Sequence, residues 1–137
     1  MKVSDVMRTD VPTIQPEDTI REAARVMSDT GAKLLPVCEG TRLVGVLTDW
    51  DVICALADGG APDSELVRNY MSVSVVAVAP DAGLDEAREL IAHRRVHHML
   101  VCHRDGCLAG IVTVDIEWSQ LAGAPAPHAT LVPIAVG

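Results

Sequence analysis

The sequence predicts an α/β fold: two tandem β-α-β-β-α copies packed with pseudo-twofold symmetry into one compact module. Three observations carry this reading. First, the chain repeats itself. Met7 and Met71 stand 64 positions apart, and Pro16 with Pro80, Ala23 with Ala87, Val37 with Val101 and Cys38 with Cys102 keep that offset. After one extra residue near Asp105-Gly106 the offset becomes 65, which matches Gly45 to Gly110, Thr48 to Thr113 and Leu56 to Leu121. Second, each copy shows the same order of strand and helix signals. Third, 137 residues suit one domain, or two very small ones sharing a core. The copies are 7–57 and 71–122, joined by a linker at 58–70 and followed by a tail at 123–137. One copy alone buries too little, so two copies packed sheet against sheet are expected, with ligand clefts between them.

The elements of the first copy follow from local chemistry. Val11 to Asp18 reads as a short extended piece and a turn. Thr19-Ile20-Arg21-Glu22 has the form of a capping box, and Ile20, Ala23, Ala24 and Met27 then make one apolar helical stripe. Gly31 is a natural helix stop. Leu34 to Glu39 and Arg42 to Thr48 read as strands around a Gly40-Thr41 turn, and Asp51 to Ala57 as a short helix.

The second copy repeats the pattern. Val75 to Val78 is extended and Leu84 to His93 helical. His98 to His103 and Cys107 to Thr113 form a hairpin through Arg104-Asp105-Gly106, and a helix follows to Leu121. The linker holds Gly59-Gly60 and Pro62, then a helical turn from Asp63. The tail begins Gly123-Ala124-Pro125 as an extended linker, and its apolar end, Leu131 to Val136, is long enough for one strand that seeks an edge or groove.

Composition narrows the function classes. Hydrophobic residues make up 49% but aromatics only 2%, with no Phe, so the core is built from Val, Leu, Ile, Ala and Met. A net charge of −8 repels a phosphate backbone, which argues against nucleic acid as a partner. Charges interrupt the first ten residues, so no signal peptide is expected there, and no apolar run reaches membrane-span length, so no membrane partner is expected. Cys38, Cys54, Cys102 and Cys107 contain no CxxC pair, and reduced thiols in a cytoplasmic setting are expected. Neither a nucleophile elbow nor a Walker-type phosphate loop occurs, so no enzyme activity is expected.

The repeat, its length and its order resemble the cystathionine β-synthase (CBS) domain. The residues that carry the resemblance run from Leu35 to Val52: a Pro-Val strand, a turn, then Gly45-Val46-Leu47-Thr48-Asp49-Trp50-Asp51, a Gly-apolar-apolar-Thr-x-x-Asp motif. Two copies at this spacing resemble the tandem CBS pair, or Bateman module. The resemblance implies a stand-alone regulatory sensor that forms a homodimer and acts through an effector protein. It also implies that the module binds an adenine nucleotide such as AMP or ATP, or a related adenosyl compound, with no resident cofactor. By the same resemblance, Thr48 contacts phosphate and Asp51 takes the ribose hydroxyls, with Ile14, Pro36 and Asp49 completing the first site. The chemistry is sound: a carboxylate accepts two hydrogen bonds from a vicinal diol, and a helix start suits a phosphate oxygen. Asp49, beside them, works against a highly charged phosphate chain.

The second copy departs from the motif. Ile116 stands where Asp51 stands in the first copy, Asp115 lies one residue early, and Leu100 replaces Pro36. Thr113 and Asp115 are therefore the weaker candidate pair, and one good site per chain is expected, centred on Thr48 and Asp51. The basic cluster Arg94, Arg95, His97 and His98 is a candidate for facing a ligand phosphate.

Each candidate has a structural alternative. Thr48 and Asp51 also read as the cap and first-turn acid of their helix. The basic cluster also reads as cations at a helix C-terminus. His97, His98, Cys102, His103 and Cys107 lack a zinc-ligand spacing, and Cys38 and Cys102 read as small buried hydrophobes. Trp50 and Trp118 flank the two short helices and suit stacking on a base or, in preference, covering a dimer interface. A ligand-free interaction and dimerisation module is the alternative to the sensor, and a redox- or metal-responsive protein is a further one.

Overall fold

The structure is a computed structural model and describes residues 1–94, 98–113 and 132–134. The fold is mixed α/β. In chain order the elements are α1 (Ile20–Thr30), β1 (Leu34–Glu39), β2 (Arg42–Thr48), α2 (Asp49–Ala57), β3 (Val75–Val78), α3 (Leu84–Arg94), β4 (His98–Cys102), β5 (Leu108–Thr113) and β6 (Val132–Ile134). Two short 3-10 turns, Val3–Asp5 and Val67–Asn69, stand outside this series. The helix expected up to Leu121 lies outside the described residues.

The chain divides into two compact units. One is Val11–Val75; the other joins Met1–Asp10 to the described residues of Val76–Ile134. In the first unit α1 begins where the sequence places it, with the Thr19 hydroxyl accepting the Glu22 N–H at 3.2 Å. It ends at Gly31, whose φ of 76° is left-handed and whose N–H reaches the Met27 carbonyl. The expected stripe is its buried face: Ile20, Ala23 and Met27 join Leu35, Val37, Val44, Leu47, Val52 and Val67 in one core, with Ala24 packed against it. β1 and β2 pair antiparallel, in a register that sets Leu34 opposite Thr48 and Pro36 opposite Val46. A bulge falls between Val37 and Cys38. Ile14 adds a parallel bridge to Val37 on the far side of β1.

In the second unit the sheet order is β5-β4-β3-β6. β3 runs parallel to β4, and β4 pairs antiparallel with β5. Its bulge falls between Val101 and Cys102, at the repeat position of the first. The tail strand β6 therefore covers the outer edge of β3 in its own chain. The hairpin turn is closed by Gly106 N–H to the His103 carbonyl and by Cys107 N–H to the Asp105 carboxylate, both at 3.0 Å.

Each unit is completed by a segment that leads into the other repeat. In the first unit, Val67 N–H bonds the Asp18 carbonyl, Arg68 N–H the Pro16 carbonyl, and Ile20 N–H the Glu65 carbonyl. In the second, Val3 N–H bonds Ala82, Ser4 N–H bonds Pro80, and Leu84 N–H bonds Met1. Every one of these pairs is related to its counterpart by the 64-residue offset. The segments then reach strand edges: Ser72 pairs with Val46, and Arg8 with Ile111. Gly45 and Gly110 make room for them. A Cβ on Gly45 would come within 2.7 Å of the Ser72 carbonyl oxygen, and one on Gly110 within 2.5 Å of the Arg8 carbonyl oxygen. Residues 61–72, read from the sequence as linker and repeat start, are thus woven into the first unit. Ion pairs from Arg21 to Asp63 and from Arg68 to Glu17 add to that attachment.

Candidate functional site

The site is built at the end of β2, where the chain turns into α2. Thr48 ends the strand in an extended conformation (φ −104°, ψ 165°) and caps the helix. Its hydroxyl accepts the Asp51 N–H at 3.2 Å, and the Asp51 carboxylate accepts the Thr48 N–H through Oδ2 at 2.8 Å. This reciprocal box satisfies two donors that a helix start leaves open. Both residues are half-buried. Among the described residues, Asp51 Oδ1 has no hydrogen-bond partner and remains able to accept from a ligand hydroxyl.

Asp49, the first helical residue, is exposed. Its N–H bonds the Lys33 carbonyl at 3.0 Å, and its Oδ1 accepts the Trp50 N–H at 2.9 Å. The sequence reading missed Lys33, because a backbone acceptor leaves no side-chain signal. The register of β1 against β2, which places Leu34 beside Thr48, brings the Lys33 carbonyl there.

The other candidates fall as follows. Pro36 and Ile14 are buried: Pro36 lies in β1 opposite Val46, and the Ile14 N–H bonds the Pro36 carbonyl at 3.1 Å from the other edge of that strand. Thr113 pairs with His98 across β4 and β5, the register position that Thr48 and Leu34 hold in the first unit. Arg95, His97 and Asp115 lie outside the described residues. Trp50, Ile53 and Leu56 recur three apart on α2 and are 66%, 52% and 53% exposed, while Val52 and Ala55 turn inward. Cys38 and Cys102 are buried beside the two bulges, and none of the four cysteines forms a disulfide. Among the described residues no three His, Cys, Asp or Glu side chains converge as a metal-binding group, and no helix is long and apolar enough to cross a membrane.

The family model for the CBS domain matches residues 3–58 and 67–115. The chain is 31% identical to the CBS domain-containing protein YhcV of Bacillus subtilis, over 93% of this chain and 91% of that one. It is 38% identical over 104 residues to an inosine-5′-monophosphate dehydrogenase of Korarchaeum cryptofilum, but spans only 21% of that enzyme's length. Among solved structures, Hypoxic Response Protein I with two coordinated zinc ions is 28% identical with a TM-score of 0.73, covering 91% of this chain and all of that one. The CBS domain pair of protein MJ0100, in complex with 5′-methylthioadenosine and S-adenosyl-L-methionine, is 25% identical with a TM-score of 0.73, covering 90% of this chain and 96% of that one.

Proposed function

The chain belongs to the CBS domain family, and on that premise we propose that it is a non-enzymatic regulatory module whose ligand is an adenosyl compound held at the start of α2. The observation that carries the reading is Oδ1 of Asp51, unpartnered among the described residues and fixed in place by the bond from the Thr48 N–H to Oδ2. A carboxylate anchored through one oxygen and open at the other is suited to a ribose hydroxyl. The Thr48 hydroxyl, which accepts from Asp51 N–H, keeps its own proton to donate. The similar MJ0100 domain pair holds two adenosyl ligands, which supports the ligand class.

A thermal-shift panel of adenine and guanine nucleotides, S-adenosylmethionine and zinc tests the proposal on wild type and Asp51→Ala. A ligand at one hundred times its dissociation constant stabilises by about 2.7 kcal/mol, a rise of several degrees at this size. The expected result is a shift with an adenosyl compound that disappears in Asp51→Ala. A panel flat for every adenosyl compound overturns it.

A second reading has its own observation. The outward stripe of Trp50, Ile53 and Leu56 fits a self-association surface. Under that reading the module works as a homodimer or through an effector protein, with its ligand site unused.

A further inference from the structure

The first turn of α2 carries two carboxylates and no vacant backbone donor. Thr48 N–H is taken by Asp51 Oδ2, Asp49 N–H by the Lys33 carbonyl, Trp50 N–H by Asp49 Oδ1, and Asp51 N–H by the Thr48 hydroxyl. A helix start attracts an anion through such open N–H groups and a positive end equivalent to about half a charge. Here the N–H groups are occupied, and Asp49 and Asp51 more than cancel the positive end.

We infer that Asp49 is a specificity-determining residue that turns the Thr48–Asp51 site away from phosphorylated ligands and toward neutral or cationic adenosyl compounds. The inference rests on the proposed function, which supplies the site, and adds the charge class of its ligand. A phosphate set against this turn displaces a side-chain cap to reach any of these N–H groups, and it meets Asp49 with the Thr48 hydroxyl as the one uncommitted donor of the described turn to offset the repulsion. A hydroxyl, by contrast, donates to Asp51 Oδ1 without disturbing either cap. The role read for Thr48 from the family resemblance therefore changes here, because its hydroxyl serves the cap and the ribose side of a ligand rather than a phosphate.

Isothermal titration calorimetry on the full chain, with adenosine, 5′-methylthioadenosine, S-adenosylmethionine, AMP and ATP, provides the test. The expected dissociation constant for AMP is at least tenfold above that for 5′-methylthioadenosine, with ATP weaker still. Raising salt from about 20 to about 300 mM narrows the gap, because screening relieves repulsion. Asp49→Asn lowers the ratio of the two constants severalfold, and a thermal melt checks that this variant is folded. Tighter binding of AMP or ATP than of 5′-methylthioadenosine overturns the inference, as does a ratio that Asp49→Asn leaves unchanged. A titration flat for all five compounds is a different failure: it removes the adenosyl site itself, and this inference with it.

Discussion

Arg8 and Ile111 exchange both of their backbone hydrogen bonds, N–H to carbonyl, at 2.8 and 2.9 Å. The pair joins the start of the chain to a strand more than a hundred residues later. Beside it, Gly110 lacks the side chain that would block the Arg8 carbonyl. Ser72 and Val46 make the same exchange in the first unit, at 2.9 and 3.0 Å, beside Gly45.

The first prediction concerns that attachment. Deleting residues 1–10 removes fully buried Val3 and the backbone bonds to Ala82, Pro80 and Ile111. Burial of one valine alone contributes about 1.5–3 kcal/mol. Hydrogen exchange is expected to show β4 and β5 losing protection while α1, β1 and β2 keep theirs. Equal loss in both units contradicts the assignment.

Gly45→Ala and Gly110→Ala test the same contacts by a smaller change. Each added methyl meets a backbone carbonyl oxygen, which cannot swing aside as a side-chain tip would. Overpacking of this kind costs about 1–3 kcal/mol, and chemical denaturation measures it. Gly83→Ala is the control, since its nearest neighbour would lie 3.9 Å away.

Asp51→Ala removes half of a capping box as well as a candidate ligand contact. Loss of the cap is expected to cost about 1 kcal/mol without any ligand. Asp51→Asn retains an oxygen for the Thr48 N–H and is expected to recover part of that stability while binding adenosyl ligands more weakly. Parallel melts with and without ligand separate the two effects.

Tyr70 is the single tyrosine, so absorbance titration reads it alone. Its hydroxyl is pushed above the usual 10.0 by desolvation first, then by the negative charges of Glu65 and Asp58. A raised value in the folded state means the proton is held more tightly there than in the unfolded chain. The associated stability is complete below pH 10 and is lost as pH rises through the folded-state value. The ultraviolet midpoint is expected above 10.0, and Tyr70→Phe is expected to flatten the alkaline fall in stability.

The stripe on α2 gives a last prediction. Trp50→Ser with Leu56→Glu is expected to lower self-association in sedimentation velocity while leaving the melting temperature of the dilute chain nearly unchanged, because both side chains are exposed. An unchanged sedimentation profile removes the stripe as the self-association surface.

Much of this was legible in the sequence, because the signals are local. Thr19, the stripe from Ile20 to Met27 and Gly31 announce α1 within thirteen residues. Thr48 and Asp51 stand at the cap and third helical positions that their types favour. The interleaving of Met1–Asp10 and Leu66–Ser72 was not legible. A strand edge records its partner only as an apolar pattern, and that pattern fits either repeat. Two clues pointed to it: Val3 and Val67 extend the 64-residue offset upstream of Met7, and a glycine inside a strand marks close backbone approach. Lys33 was beyond reach, since its part is played by a carbonyl that every residue carries.

The interleaving also orders events during synthesis. Met1–Asp10 leave the ribosome well before their partners: Ala82 and Ile111 arrive only after some eighty to a hundred further residues. The Val11–Val75 stretch is contiguous and can close while the rest is still being translated. Until then the leading segment waits with Val3 and its strand edge uncovered. Nascent chains stalled with residue 111 still inside the ribosome, and chains stalled once it has emerged, should therefore differ sharply in whether a protease can clip residues 1–10.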